Sequence, residues 1–107
     1  MTAPAPAAVP TGSSGAVHLV GLIRLRDAEP WARYRAAVPA TLVPWGGQVL
    51  FRAPRIATLG GTSEHDEVVV VRFPDRAAAE GWFRSDAYQA LIPLRDAGAQ
   101  VSLTLWG

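Results

Sequence analysis

The fold of this chain is decided by residues 68–98, which read VVVVRFPDRAAAEGWFRSDAYQALIPLRDAG. The four consecutive valines predict a strand covered on both faces, because β-branched side chains suit a pleated surface and no polar alternation is left for water. Asp75 is placed to cap a helix, Ser85 or Asp86 to cap a second helical segment, and Gly98 to end it. The stretch contains no cysteine, histidine or glycine-rich phosphate loop, so it indicates an architecture more than a reaction.

The sequence on either side of this stretch adds three strands and one more helix. Asp27 is the predicted N-cap of that helix, and Pro39 predicts a kink or break near its end because proline cannot donate to the helical hydrogen bonds. Residues 53–66 contain glycine, serine and charged side chains and are predicted to form an exposed connection. The predicted strands span residues 17–25, 48–52, 67–73 and 101–106.

The predicted order of elements, β-α-β-β-α-β, is that of a ferredoxin-like fold. We therefore expect an α+β sandwich in which a four-stranded antiparallel sheet carries its helices on one face. Residues 16–107 are expected to form this single domain. Residues 1–15 are almost all alanine, proline, threonine, serine and glycine, and they are expected to form a disordered tail because they offer little to bury.

Composition argues against several classes of partner. The chain has 107 residues, half of them hydrophobic, and a formal net charge of +1. This balance gives no electrostatic reason to bind nucleic acid or an anionic membrane. No apolar run approaches the roughly 20 residues of a membrane-spanning helix, and no secretory signal pattern is present. The absence of cysteine excludes disulfides and thiolate chemistry and is compatible with the cytoplasm, where we expect the protein to act.

Short motifs spread along the chain together resemble the pattern of a known family. They are Arg33-Tyr34 with Pro39, Gly46-Gly47 before a strand ending in Arg52, Phe73-Pro74, Ala79, Trp82, Ser85, Tyr88 and Leu94-Arg95. In this combination the sequence resembles the DUF1330 family of the dimeric α/β-barrel superfamily. The resemblance implies a homodimer in which two ferredoxin-like subunits pair their sheets into one barrel, with a cavity between each sheet and its own helices or inside the barrel.

The resemblance does not select a reaction. The superfamily includes cofactor-free monooxygenases, polyketide cyclases, lactone isomerases, haem enzymes and non-catalytic proteins. The chain also departs from the family pattern, since Gln48 stands where the family often has a basic residue and the connection between Arg52 and Glu67 is unusual. Loops on a rigid scaffold vary at low structural cost, so we expect this connection to set substrate specificity.

Strand alternation predicts a pocket on the sheet face opposite the helices. If Val17, Leu19 and Ile23 meet the helices, the alternate residues of the strands share the other face. That face then has an apolar floor with polar ends, as small-molecule pockets do, but a register error of one residue inverts the set. The predicted set is His18, Leu22, Arg24, Gln48, Leu50, Arg52, Val70, Arg72, Ser102, Thr104 and Trp106.

Three residues are the catalytic candidates. His18 has an ordinary pKa of about 6.5 and is predicted to act as general acid or base, while a hydrogen-bonded structural histidine is the alternative. Arg52 and Arg72 are predicted to hold a carboxylate or developing negative charge, because a guanidinium offers a planar fork of donors. The alternative is that both arginines are exposed strand-end residues.

The aromatic side chains form a candidate stacking wall for an aromatic ligand, although helical spacing is also typical of core packing. The residues of this wall are Trp31, Tyr34, Trp45, Trp82, Phe83 and Tyr88. Trp45, beside two glycines, is the one assigned to the pocket. Arg95 with Asp96 or Asp86 is interpreted as a helix-surface or dimer ion pair, and the loop residue His65 with its acidic neighbours is not expected to bind metal. The predicted substrate-binding residues are Leu22, Arg24, Tyr34, Trp45, Gln48, Leu50, Val70, Trp82 and Trp106.

Two classes of function remain from the sequence. In the first, the protein is a cofactor-independent enzyme of natural-product metabolism, a cyclase or isomerase that performs acid/base chemistry on a small aromatic or polyketide-like substrate, with a cofactor-free monooxygenase as a variant. In the second, it is a non-catalytic small-molecule-binding or structural dimer. The catalytic hypothesis requires His18, Arg52 and Arg72 to converge on one cavity.

Overall fold

The computed structural model describes residues 15–107, so the predicted tail lies outside the described residues except for Gly15. Four strands form the sheet: β1 (Val17–Leu25), β2 (Gln48–Pro54), β3 (Glu67–Phe73) and β4 (Ala99–Trp106). The helices are α1 (Ala28–Leu42), α2 (Arg76–Arg84), α3 (Asp86–Gln89) and α4 (Ile92–Gly98), and a 3-10 turn spans Val43–Trp45.

The strands form one sheet in the order β2-β3-β1-β4, and every neighbouring pair is antiparallel. This arrangement confirms the predicted α+β ferredoxin-like fold. The helices pack on one face of the sheet, and a core of buried side chains lies between the two layers. The opposite face, which we call the open face, has no helix of the described chain over it.

Alternation along β1 separates the two faces. Val17, Leu19 and Ile23 are buried under the helices, whereas His18 and Leu22 are only partly covered. A strand that packs against helices on one side shows this two-residue period. The odd positions of β1 therefore face the helices, as the sequence pattern predicts.

A β-bulge in β2 reverses the predicted direction of Arg52. Val49 lies opposite Val71, but the next paired residue is Phe51 opposite Val70, so Leu50 is an extra residue without its own partner. Arg52 consequently lies opposite Val69, a residue packed against the core on the helix side. The prediction that Arg52 shares the open face was wrong, because a bulge shifts the alternation by one residue.

The helical elements differ from the predicted ones in two respects. Helix α1 continues through Pro39 to Leu42 without a break, with Pro39 on its exposed side. The second helical region consists of three short pieces rather than two. Asp75 caps α2 by accepting from the amide of Ala78 at 2.7 Å, and Ser85 caps α3 by accepting from the amide of Tyr88. Both caps were predicted from the sequence.

Candidate functional site

A small, partly enclosed cavity lies between the sheet and the helices, and we call it the inner cavity. Its volume is about 30 Å³, which is room for about one or two water molecules. Most of its wall is aliphatic. The lining residues are Ile23, Trp31, Tyr34, Val38, Val49, Arg52, Val69, Val71, Trp82, Val101 and Leu103.

A chain of hydrogen bonds runs from the protein surface to this cavity. Asp96 accepts from Nε of Arg95 at 3.0 Å, and a terminal nitrogen of the same guanidinium donates to the hydroxyl of Tyr88 at 3.0 Å. The Tyr88 hydroxyl lies 2.9 Å from the hydroxyl of Tyr34, which lines the cavity. Arg95 pairs with Asp96, as the sequence predicted, but only 14% of its side chain is exposed, because it is buried against Tyr88 and does not lie on the helix surface.

The direction of these bonds follows from the number of protons available. Arginine only donates, so the oxygen of Tyr88 accepts from Arg95 and its own proton needs an acceptor. If Tyr88 donates to Tyr34, the proton of Tyr34 is left at the cavity, where a water or ligand can accept it. The opposite direction leaves the Tyr88 proton unpaired at a fully buried position, which costs more.

Tyr34 is held in its neutral form. Burial raises the pKa of its phenol far above the usual value, and the neighbouring Tyr88 hydroxyl adds to that rise, while the positive charges of Arg95 and Arg52 oppose it. Burial alone lowers the pKa of the Arg95 guanidinium, but its bonds to Tyr88 and Asp96 outweigh this and raise the pKa overall. Tyr34 is thus a hydrogen-bond donor and not a base.

The two cavity tryptophans differ in how their indole groups are satisfied. Nε1 of Trp82 donates to the hydroxyl of Thr41 at 2.9 Å, which in turn donates to the backbone oxygen of Val38. Nε1 of Trp31 is buried and has no hydrogen-bond partner among residues 15–107. The ring of Trp31 stacks on Tyr34 with 5.0 Å between centroids. Trp31 therefore brings an unused donor to the wall that Tyr34 also forms.

Arg52 supplies the positive charge of the site. Its guanidinium donates to Oε1 of Glu67 at 2.8 Å, and both side chains are largely buried on the helix side of the sheet. One carboxylate cannot use all five N–H groups of a guanidinium. Among the described lining residues, the free polar groups of Trp31, Tyr34 and Arg52 are all donors, so the cavity suits a hydrogen-bond acceptor.

Two surface grooves border the inner cavity. One groove of about 390 Å³ runs between α1 and β2 and shares Val49 and Arg52 with the cavity wall. The other, of about 240 Å³, lies between α2 and β4 and shares Trp82 and Leu103. A small molecule is too large for the inner cavity alone, so only a ligand that also occupies a groove can place one polar group inside.

The open face carries a second group of predicted residues. His18 lies directly opposite Arg72 on β3 and opposite Trp106 on β4, and Arg72 lies opposite Gln48. Residues opposite one another in antiparallel strands share a face, so these four side chains form one row across the sheet. His18 and Arg72 are adjacent, but Arg52 is on the other side of the sheet. The three catalytic candidates therefore do not converge on one cavity of the subunit, and the catalytic site that required all three together is not formed.

The remaining predicted residues are dispersed. Leu22 and Val70 lie on the apolar part of the open face, and Leu50 is the unpaired residue of the bulge, next to Phe51. Arg24 forms an exposed ion pair with Glu64 at 3.5 Å. Trp45 lines neither the inner cavity nor the two grooves beside it; its ring packs against Gly81 of α2, where an added Cβ atom would lie only 2.3 Å away.

Sequence reasoning gave Arg95 no role in a site, and it named Trp31 and Tyr88 only as members of the candidate stacking wall, not as hydrogen-bonding residues of the cavity or of the chain behind it. Trp31 and Tyr34 are one helical turn apart, which is compatible with core packing and with a site wall alike. Tyr88 and Arg95 were both among the motif residues of the family resemblance, and that was the available signal. Among residues 15–107 no group of three potential metal ligands is found, and no helix there is long and apolar enough to cross a membrane.

The fold and this cavity define the class to which the protein belongs. It is a ferredoxin-like α+β protein of the kind found in dimeric α/β barrels, with a donor-lined cavity between sheet and helices. Residues 16–106 match the family described as a domain of unknown function, DUF1330, and the chain belongs to that family. No curated protein matches the chain.

Solved structures share the fold. A protein of unknown function from Rhodopseudomonas palustris is 24% identical, with a TM-score of 0.75 over 86% of this chain and 81% of that one. A dimeric ferredoxin-like protein of unknown function from Jannaschia sp. CCS1 is 10% identical, with a TM-score of 0.72 over 87% and 99%. SnoaB, a cofactor-independent oxygenase from Streptomyces nogalater, is 11% identical, with a TM-score of 0.65 over 87% and 92%.

Proposed function

We propose that the protein is a homodimeric, cofactor-independent enzyme of the cyclase or isomerase type. Its substrate is a small aromatic or polyketide-like molecule that places a carbonyl or enolate oxygen in the inner cavity. One observation carries the proposal. Four residues of the family pattern, from distant parts of the sequence, meet at this cavity or at the hydrogen-bond chain behind it: Tyr34, Arg52, Tyr88 and Arg95.

The chemistry follows from the free donors. Tyr34 and Trp31 donate to a substrate oxygen, and the charge of Arg52 stabilises that oxygen as it becomes negative. No carboxylate or imidazole lies among the described lining residues, so the cavity holds no base. The substrate must then carry an acidic C–H or O–H, as a β-dicarbonyl or phenol does, whose proton passes to water. Proton loss followed by reprotonation at another carbon is an isomerisation without net redox change.

The homodimer is proposed from the open face. Phe51 and Trp106 there are 52% and 60% exposed, and the surface between them includes Val20, Leu22, Val68 and Val70. A broad apolar sheet face is a costly surface to leave in water. The protein from Jannaschia, which has the same fold, is described as dimeric, and this supports a homodimer. In such a dimer, the row from Gln48 to Trp106 lies inside the barrel, and the absence of cysteine fits a cytoplasmic location.

The test is the exchange of an acidic C–H for deuterium. Pentane-2,4-dione and ethyl acetoacetate in D₂O are the probes, and NMR measures the exchange rate of the C–H between the two carbonyl groups with and without protein. We expect the natural sequence to accelerate the exchange. If this acceleration falls at least about 10²-fold in Tyr34→Phe and in Trp31→Phe but persists in His18→Ala, the inner cavity is supported as the active site. If the acceleration is instead lost in His18→Ala and kept in Tyr34→Phe, the active site lies on the open face.

Two alternatives have their own support. A non-catalytic binding dimer is favoured by the lack of a base in the cavity, and it predicts that the probes bind without faster exchange. A cofactor-free monooxygenase is favoured by the fold shared with SnoaB, and it predicts oxygen uptake with an acidic phenol. An oxygen electrode separates this reaction from isomerisation, since isomerisation consumes no oxygen.

A further inference from the structure

The connection between β2 and β3 forms an arm, residues 55–66, that exposes two large aliphatic side chains. Ile56 is 95% exposed and Leu59 is 100% exposed. A Cβ atom added at Gly60 or Gly61 would meet no atom of the described chain within 4 Å. The tip of the arm therefore stands clear of the subunit and leaves its aliphatic groups in water.

The base of the arm is held firmly in place. The amide of Arg55 donates to the backbone oxygen of Asp66 at 2.7 Å, and Nε of Arg55 donates to the backbone oxygen of His65. Asp66 is tied to β1, because its carboxylate accepts from the amide of Leu25 at 2.7 Å and its amide donates to Ile23. An anchored base directs the arm away from the sheet, with a reach of up to roughly 17 Å for five extended residues.

The composition of the arm indicates what kind of surface it meets. Residues 56–63 read IATLGGTS and contain no charged side chain. Such a segment has no electrostatic attraction for nucleic acid or an anionic lipid surface. It suits an apolar protein surface, where burial of an isoleucine and a leucine is favourable.

The arm is continuous with the open face of the sheet. A concave surface of about 230 Å³ is lined by Leu22 and Val68 of that face together with Arg55, Ser63 and His65 of the arm. Any second copy seated on the open face therefore reaches the base of the arm as well. Because both copies carry the same arm, a two-fold dimer uses it twice.

We propose that the arm clasps a second copy of this chain, placing Ile56 and Leu59 on the outer part of that copy's sheet. The inference rests on the proposed homodimer and adds to it a specific element. The arm extends the contact surface of the open face beyond the four strands of the sheet. This extension is the contribution that the unusual connection between β2 and β3 makes to the dimer contact. The partner of the arm is thus another molecule of the same protein.

The test compares two variants by analytical ultracentrifugation from nanomolar to micromolar concentration. Ile56→Ser/Leu59→Ser removes the aliphatic groups of the arm, and Val43→Ser is the control, since Val43 is 76% exposed and lies just beyond the end of α1. We expect the double variant to raise the dimer dissociation constant about 100-fold or more, and the control to leave it unchanged. Circular dichroism of each variant checks that the subunit is folded.

The absence of cysteine from the sequence allows a second measurement. A Leu59→Cys variant labelled with a thiol-reactive fluorophore should report a blue shift and slower quenching by iodide when the dimer forms. Suppose that the natural sequence forms a dimer, that Ile56→Ser/Leu59→Ser dimerises with the same affinity, and that the label shows no shift. The proposed role of the arm would then be wrong, while the homodimer would stand. A natural-sequence protein that stays monomeric would instead overturn the proposed homodimer and the arm with it.

Discussion

The hydroxyl groups of Tyr34 and Tyr88 lie 2.9 Å apart, although 54 positions separate them in the sequence. Tyr34 comes from α1 and Tyr88 from α3, so the contact exists only where these helices pack together. Arg95 of α4 donates to the same Tyr88 oxygen. Three helices thus hold one hydrogen-bond chain in place, and Tyr34, the last residue of this chain, lines the inner cavity.

Removal of the Tyr88 hydroxyl should destabilise the fold. In Tyr88→Phe the aromatic packing on Trp82 is retained, but Arg95 and Tyr34 each lose a buried partner, so the free energy of unfolding should fall by about 1–3 kcal/mol. Urea denaturation of Tyr88→Phe, Tyr34→Phe and the double variant measures the coupling. We expect the loss of unfolding free energy in the double variant to be smaller than the sum of the losses in the two single variants. Strict additivity would show that the two hydroxyls do not interact.

Stability should depend on Tyr34 at alkaline pH. Because the pKa of Tyr34 is raised in the folded protein, its phenol loses the proton at a lower pH in the unfolded chain than in the folded one. The contribution of Tyr34 to the free energy of unfolding is therefore fully present below the ordinary pKa of about 10. Above pH 10 the free energy of unfolding should fall by up to about 1.4 kcal/mol per pH unit from this group. Urea titrations between pH 9 and 11 should show a shallower fall in Tyr34→Phe. Equal slopes for the two proteins would contradict the raised pKa.

The bulge in β2 makes Leu50 dispensable for register. Deletion of Leu50 leaves Val49 opposite Val71 and lets Phe51 follow regularly opposite Val70, so Arg52 should keep its contact with Glu67. We expect a loss of less than about 1.5 kcal/mol in unfolding free energy. Deletion of Val70 from β3, where pairing is regular, is the control and should prevent folding because it inverts the rest of the strand. A crystal structure of the Leu50 deletion with Arg52 on the open face would refute this account.

A charge on the open face should separate the proposed dimer. Phe51→Lys places an ammonium group on the open face, within the edge strand β2, and burial of an unpaired charge in a dimer contact is strongly unfavourable. Sedimentation velocity should show folded monomers for Phe51→Lys. Val43→Lys, on an exposed residue beyond α1, should sediment like the natural sequence. If both variants remain dimeric, the contact does not use this face.

Much of the fold was predictable because its signals are local. The valine run of β3, the caps at Asp27, Asp75 and Ser85, and the alternation in β1 each depend on residues a few positions apart. The element order then leaves few ways to arrange four strands in one sheet. The sequence also predicted that His18, Arg72, Gln48 and Trp106 share a face, since each lies in a regularly alternating part of its strand.

The candidate site was less predictable, since its parts are brought together by contacts between distant elements. The side that Arg52 faces depends on how β2 pairs with β3, and nothing in the segment Gln48 to Pro54 marks Leu50 as the extra residue. The buried position of Arg95 depends on Tyr88 in the preceding helix. Local period and capping rules describe a residue and its near neighbours, so they cannot report these pairings.

The sequence by itself determined the class of fold, the sheet strands and the two sides of β1, because hydrophobic period, caps and turn residues act within a few positions. Only the tertiary structure decided that Arg52 faces the helices and that Tyr34, Tyr88 and Arg95 form one hydrogen-bond chain. The Trp31 indole beside it has no hydrogen-bond partner in the part of the chain that the structure describes. The physical reason is that strand register and helix packing set the distances between residues far apart in sequence. Hydrogen bonds form only where these distances are short enough.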